Sequence, residues 1–289
     1  MKFYKVFIEL TNICGLKCSF CPTKDINNEI MSLELFEKII SQLPPFTKEI
    51  ATHIMGDPLV LSNLSKYLDI IYKYNLKALI TTSGYYISKH NLELFSHPSI
   101  KQINISLNSF NKNSMPISLD EYLEPIFRVI EYKRDNCRDK FINLRIWNLD
   151  EDMSEIEFNR VIFAKISNRL NIELDIDKIY QERPKNIRLE YKTLLHFDTY
   201  FEWPSLNNQI YGDGTCQGLS SHFGVLSNGD VVPCCLDGDG IMKLGNVNDT
   251  LIKDILESKK SKSIIDGFKN DIAVEELCQK CSYKDRFKK

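Results

Sequence analysis

Eight residues near the start of the chain, Cys14-Gly15-Leu16-Lys17-Cys18-Ser19-Phe20-Cys21, carry three cysteines at C-x3-C-x2-C spacing. Thiolates are soft ligands suited to zinc and to iron–sulfur clusters. Three on one short loop can hold three irons of a 4Fe–4S cluster and leave the fourth iron open. Catalysis needs such an open position, whereas a structural metal is closed by four ligands. Spacing alone also permits a three-thiolate zinc site. A second set stands near the other end: Cys216, Cys234, Cys278 and Cys281, the last two as C-x2-C. Four thiolates can close around one centre, either a fully ligated cluster or a structural zinc ion. Cys235 follows Cys234 directly and has three uses open to it. It can be a spare ligand, a hydrogen-atom donor, or the small core residue that a lone thiol most often is. Cys137 sits apart in the charged run Lys133-Arg134-Asp135-Asn136-Cys137-Arg138.

Nine cysteines in 289 residues is an odd count in a long chain, which argues against a secreted disulfide framework. In a reducing compartment such a set binds metal or does chemistry, so a cytoplasmic location is expected. With 43% hydrophobic and 26% charged residues the composition is that of a globular protein, not a disordered, collagenous or coiled-coil one. Lys plus Arg is 37 against 39 Asp plus Glu, so no basic field argues for nucleic acid. No apolar run approaches the roughly 18 residues that span a bilayer.

These cysteines need a scaffold, and the hydrophobic periods supply one. Strands are expected near 3–10, 50–55, 78–82, 102–107, 141–147 and 172–176. Helices are expected near 32–43, 61–74, 88–96, 119–136 and 154–169. Ser32 suits the N-cap of the first, and Ser154 with Glu157 has capping-box spacing for the last. Alternating strands and helices predict an α/β fold around a parallel sheet. Six such strands are too few for a closed eight-stranded barrel, so an open, partial (β/α)6 TIM-like barrel is expected. Strands buried on both faces read as continuous apolar runs, yet three of these alternate. Asn104, Ser106 and Asn108 share one face, as do Asn143, Arg145 and Trp147, and then Glu173, Asp175 and Asp177. That face is expected to line a polar, ligand-filled lumen; a solvated sheet edge is the plainer alternative.

Residues 177–215, with Pro184, Pro204 and the aromatics Tyr200, Phe201 and Trp203, read as an irregular bridge. Beyond it, Phe223–Leu226 and Val231–Pro233 flank Ser227-Asn228-Gly229-Asp230, a hairpin signal. A helix near Thr250–Ser258 and a further short helical stretch follow, and the basic end Lys284–Lys289 reads as a solvated tail. The expected division is 1–176 for the barrel, 177–215 for the bridge and 216–289 for a small hairpin-and-helix module. That module is poor in apolar residues and is expected to need a metal staple.

The first cysteine motif, directly after a strand, resembles the radical S-adenosylmethionine (radical SAM) superfamily. The resemblance implies that the open iron takes the amino and carboxylate groups of S-adenosylmethionine. Reductive cleavage would then give a 5′-deoxyadenosyl radical that takes a hydrogen atom from substrate. It places Phe20 against the adenine, and matches Met55-Gly56-Asp57-Pro58-Leu59 to the family's glycine-glutamate-proline motif, with Asp for Glu and one Gly only. Gly56 and Asp57 would then face the methionine amino group. Thr82 and Ser83 after the third strand, and Ser106 and Asn108 at the fourth, match positions that contact ribose and carboxylate. Arg145 is the candidate grip on the carboxylate, since a guanidinium can hold it bidentately.

The second cysteine set, with Leu244-Gly245-Asn246-Val247 between hairpin and helix, resembles the SPASM/twitch extension of radical enzymes. Five cysteines rather than seven match the shorter twitch form, with one auxiliary 4Fe–4S cluster on Cys216, Cys234, Cys278 and Cys281. The resemblance also implies a reducing electron donor of the flavodoxin or ferredoxin kind. The substrate is expected to be polar: a sugar or aminocyclitol alcohol oxidised to a ketone, or a peptide modified at Cα or a side chain. Many peptide-modifying relatives carry an extra N-terminal domain, and this chain opens on the first strand, which favours the small molecule. A zinc-stapled binding protein without activity is the non-enzymatic alternative.

Overall fold

The computed structural model describes residues 1–22, 28–147, 155–199 and 201–287. In chain order the first elements are β1 (Val6–Ile8), α1 (Leu33–Ile40), β2 (Glu49–Ala51), α2 (Leu64–Lys73), β3 (Lys77–Thr82), β4 (Ile100–Ser106) and α3 (Asn108–Asn111). Next come α4 (Leu119–Asn136), β5 (Phe141–Trp147), α5 (Ile156–Leu170), α6 (Ile176–Glu182), β6 (Asn186–Glu190) and β7 (Thr193–Asp198). The chain ends with β8 (Gly224–Val225), β9 (Asp230–Val232), β10 (Gly245–Asn246), α7 (Ile252–Leu256), α8 (Lys259–Lys269) and α9 (Glu276–Gln279). Two compact units result. One holds Met1–Gly15, Phe20–Leu79 and Phe201–Lys289; the other holds Leu16–Ser19 and Ile80–Tyr200.

In the first unit the strand order is β10-β9-β8-β1-β2-β3. β1, β2 and β3 pair in parallel, and β8 also runs parallel to β1. Helix α1 forms because Phe36, Ile39 and Ile40 fall on one stripe, all fully buried, and because the Ser32 hydroxyl accepts the Leu35 N–H. The β8–β9 hairpin turns at Gly229, whose φ of +89° is open to glycine at no steric cost. Lys284 belongs to no loose tail: it is 2% exposed, and its ammonium donates to the Cys281 carbonyl at 2.9 Å.

In the second unit the order is β3-β4-β5-β7-β6. β4, β5 and β7 pair in parallel, and β6 turns back antiparallel on β7. Within this unit β6 is the free edge strand. Ile103, Ile105, Ile142, Leu144, Ile146, Leu195 and Phe197 are buried on one side, where Phe197 meets Phe163 of α5 edge-on. Helix α4 opens on a reciprocal capping box between Ser118 and Glu121.

Among the described residues the strand-and-helix alternation gives six strands, but the sixth is β7. Residues 172–175 form no strand, and Ile176 starts α6, with Asp175 capping the Lys178 N–H at 3.0 Å. Glu173, Asp175 and Asp177 therefore share no strand face. Much of 177–198 is regular structure (α6, β6 and β7) rather than irregular bridge. The expected helix near 88–96 is two separate 3-10 turns, Ile87–Lys89 and Leu92–Ser96. Ser154 lies outside the described residues, and Glu155 stands at the N-cap of α5 without capping it: its carboxylate pairs with the Lys112 ammonium instead.

Candidate active site

Cys14 follows β1 on a segment fixed at its base. Thr11 and Ile30 form an antiparallel bridge, Met31 N–H donates to Leu10 O at 2.9 Å, and Glu29 N–H donates to Asn12 Oδ1 at 2.8 Å. Gly56 lies against this segment. A Cβ there would stand 2.2 Å from Thr11 O and 2.9 Å from Ile13 O, and its φ is +72°. Asp57 N–H donates to Ile13 O at 2.9 Å, while its carboxylate accepts the Leu59 N–H at 3.0 Å and caps the turn begun by Pro58. So Gly56 and Asp57 seat the loop after β2 on the backbone leading to Cys14. Sequence reasoning missed Glu9, a lone charge in the apolar run of β1 and its flanks. Glu9 is 2% exposed and accepts the Met55 N–H at 2.9 Å and the Ser227 hydroxyl at 3.1 Å. It ties that loop to the hairpin turn. Phe7, Ala51, Ile54, Met55, Leu79, Leu226 and Val232 form one apolar cluster, and Cys21, Trp203 and Cys235 pack against it. The Trp203 indole N–H is buried there without a partner among the described residues. Phe20 is half-buried.

Cys18 belongs to the second unit, where Asn113, just past α3, donates to its Sγ at 3.0 Å. The remaining predicted contacts stand at strand ends. Thr82 and Ser83 close the turn after β3, their hydroxyls accepting the N–H groups of Gly84 and Tyr85 at 3.0 and 3.3 Å. Ser106 ends β4 and Asn108 starts α3. Ser106 is in register with Arg145, and Arg145 with His196, so the three form one row across β4, β5 and β7. One step back Asn143 donates to Asn104 at 3.0 Å, and Asn104 donates to Thr81 at 3.1 Å. The buried residues of these strands point the other way, so the polar row occupies the opposite face, near the C-terminal strand ends where open α/β sheets bind ligands. Burial, then the Arg145 charge, pulls the His196 imidazole below its usual range against the opposing pull of Asp198. The net pull favours the neutral ring. His196 was missed because β7 was read as part of a bridge.

Cys216, Cys234, Cys278 and Cys281 lie together in the first unit, and all four thiols are raised. Burial comes first for each. Neighbouring sulfurs add to it: Cys235, Cys216 and Cys278 raise Cys234, and Cys216 and Cys281 raise Cys278. Against this, backbone N–H groups of Gly218 and Gln217 aim at Cys216, Leu236 at Cys234, and Tyr283 and Lys284 at Cys281. Turns that aim N–H groups at crowded thiols fit a polynuclear cation that would neutralise them and keep the sulfurs as thiolates. Among the described residues no three His, Cys, Asp or Glu side chains converge as the ligands of a single bare ion do. No disulfide forms among the described residues. Cys137 is buried at the end of α4. No described helix is long and apolar enough to cross a membrane.

The family model of the radical SAM superfamily matches residues 8–157, slightly more than half of the chain. The chain belongs to the radical SAM superfamily. A second family model, the SPASM iron–sulfur cluster-binding domain, matches residues 216–282. Membership brings S-adenosylmethionine and a 4Fe–4S cluster as cofactors, and the SPASM domain brings auxiliary iron–sulfur binding. Among solved structures, the fold is similar to BtrN in complex with AdoMet and 2-DOIA, at 18% identity and TM-score 0.63, over 98% of this chain and 94% of that one. It is similar to Streptococcus suis SuiB bound to the precursor peptide SuiA, at 17% identity and TM-score 0.63, over 100% and 73%. It is also similar to anSMEcpe with bound AdoMet and Cp18Cys peptide, at 17% identity and TM-score 0.59, over 97% and 86%. No curated protein matches the sequence.

Proposed function

We propose that this radical SAM enzyme takes a hydrogen atom from a hydroxyl-bearing carbon of a small polar substrate, with net oxidation of a sugar or aminocyclitol alcohol. The reading is carried by His196, in register beside Arg145, and by the Thr81–Asn104–Asn143 ladder on the same face. Hydroxyl, amide and imidazole groups there match alcohol groups and would leave a lipid's chain unmatched. BtrN, whose structure holds 2-DOIA, supports the small-molecule reading over most of both chains.

Cys14, Cys18 and Cys21 would hold the catalytic cluster, and Cys216, Cys234, Cys278 and Cys281 the auxiliary one. When bound, the first cluster would supply the electron that cleaves S-adenosylmethionine, and the second would accept the electron left on the substrate after its hydrogen atom and hydroxyl proton have gone. The protein's own residues bind, orient and move protons. Arg145 would grip the methionine carboxylate, Phe20 the adenine, and Thr82, Ser83, Ser106 and Asn108 the ribose and carboxylate. Gly56 and Asp57 would set the loop beside the amino group. A ring nitrogen of neutral His196, beside Arg145, would accept the substrate hydroxyl proton. Trp203 and Met55, packed on the apolar cluster with Cys21, would exclude water. The zinc-stapled alternative predicts colourless protein without iron or sulfide.

The test is anaerobic turnover of reconstituted protein with 2-DOIA, a panel of aminocyclitols and hexoses, and peptides encoded beside its gene. A carbonyl product from the alcohol panel is expected. A modified peptide, with the whole alcohol panel untouched, overturns the reading.

A further inference from the structure

The loop Leu16–Ser19 is tied to the end of α3 by a set of bonds centred on one side chain. Lys17 N–H donates to Asn113 Oδ1 at 2.8 Å, and Ser19 N–H donates to Lys112 O at 3.2 Å. The Asn113 amide nitrogen donates to Ser109 O at 2.7 Å and to Cys18 Sγ at 3.0 Å. Which end of an asparagine amide is oxygen has to be decided from its partners. Here they leave one answer. Turned over, the amide would set its carbonyl oxygen against the Ser109 oxygen and the sulfur, both acceptors, and its NH2 against the Lys17 N–H. Both amide hydrogens are thus committed, one to a carbonyl that fixes the group and one to the sulfur.

We propose that Asn113 is a positioning residue for the catalytic cluster: its N–H···S bond holds the Cys18 side chain in its ligating direction and raises the reduction potential of the iron bound there. An N–H dipole aimed at a cluster sulfur favours the more negative, reduced state, and hydrogen bonds to sulfur are among the levers that set such potentials. Asn113 lies between no recognised motifs, and nothing in the C-x3-C-x2-C spacing calls for it. Its effect would fall on the step that limits electron entry from a flavodoxin-like donor, and it is independent of which substrate is used.

The inference rests on Cys18 being a cluster ligand. The experiment is an EPR-monitored redox titration of the reconstituted full-length enzyme, wild type against Asn113→Leu and Asn113→Gln, with iron counted in each. Leu has nearly the amide's size but no donor and no charge, so its cluster should titrate at a more negative potential. Gln retains an N–H and should recover part of the difference. An unchanged potential in Asn113→Leu with iron intact overturns the proposal. If neither variant keeps its iron, wild-type enzyme labelled with 15N-asparagine is examined by pulsed EPR. A 15N coupling to the reduced cluster is expected there, and its absence overturns the proposal. Cys18→Ala separates the two readings. Retention of the catalytic cluster in that variant removes Cys18 as ligand and the proposal with it. Loss of the cluster there, with an unmoved potential in Asn113→Leu, removes the Asn113 proposal alone.

Discussion

A Cβ on Gly56 would stand 2.2 Å from the carbonyl oxygen of Thr11. Backbone thus lies against backbone where the loop after β2 meets the segment leading to Cys14, and only glycine leaves room. The left-handed conformation alone costs an alanine about 1–2 kcal/mol, before any displacement of residues 11–13. Gly56→Ala should lower the melting temperature and weaken S-adenosylmethionine binding together, because the displaced carbonyls sit just before the first cysteine. Calorimetric melting and a binding isotherm check this. An unchanged variant would mean that the loop relaxes without disturbing the cysteines.

The adjacent cysteines have different surroundings. Burial and then the neighbouring sulfurs of Cys235, Cys216 and Cys278 raise Cys234, which stands among the other three predicted ligands, whereas Cys235 also packs on the apolar cluster with Cys21 and Trp203. Cys234→Ala should lose about four of roughly eight irons per chain, since a closed four-thiolate site tolerates a missing ligand poorly. Cys235→Ala should keep its iron. Iron and sulfide analysis of both variants decides the matter, and the opposite pattern would exchange their roles.

Arg145 stands in register between Ser106 and His196. If its planar fork grips the methionine carboxylate, Arg145→Lys should weaken S-adenosylmethionine binding by roughly tenfold although the charge is kept. Equal affinity by calorimetry would assign Arg145 to the substrate or to the fold.

Burial, with the Lys5 charge second, pushes the His222 imidazole down to about 4. An unfolded histidine titrates near 6.5, so the unfolded chain takes up a proton that the native state refuses. The resulting stabilisation is fully present above pH ~6.5 and is lost as pH falls through the folded value, to a total of about 3 kcal/mol at most. Denaturant titrations between pH 7 and 4 should show wild type losing stability more steeply than His222→Gln. Parallel curves would show that His222 protonates in place.

What the sequence made legible follows from local periodicity. β5 at 141–147 and α4 at 119–136 stand where their patterns put them, because buried Ile142, Leu144 and Ile146 alternate and the α4 stripe repeats at helical spacing. The failure at 172–176 has the same source. Ile172, Leu174 and Ile176 alternate by accident, while Asn171 ends α5 in a left-handed turn and Asp175 caps α6. β7 hid because its edge partner β6, Asn-Ile-Arg-Leu-Glu, is half solvated and unlike a core strand. His196 went unseen with it. The cysteine motifs were readable at a glance, since ligand spacing is a property of neighbours in sequence. Asn113 against Cys18 and Glu9 against Ser227 were not, since those pairs join positions 95 and 218 residues apart.

If Cys14, Cys18 and Cys21 hold the cluster that cleaves S-adenosylmethionine, removing one of them must abolish the cleavage. Reconstituted protein is incubated anaerobically with dithionite and S-adenosylmethionine, and 5′-deoxyadenosine is measured for wild type and Cys18→Ala at matched auxiliary iron content. Wild type should release 5′-deoxyadenosine, and Cys18→Ala should release none while remaining folded. Equal release by both, or none from iron-replete wild type, would contradict the account.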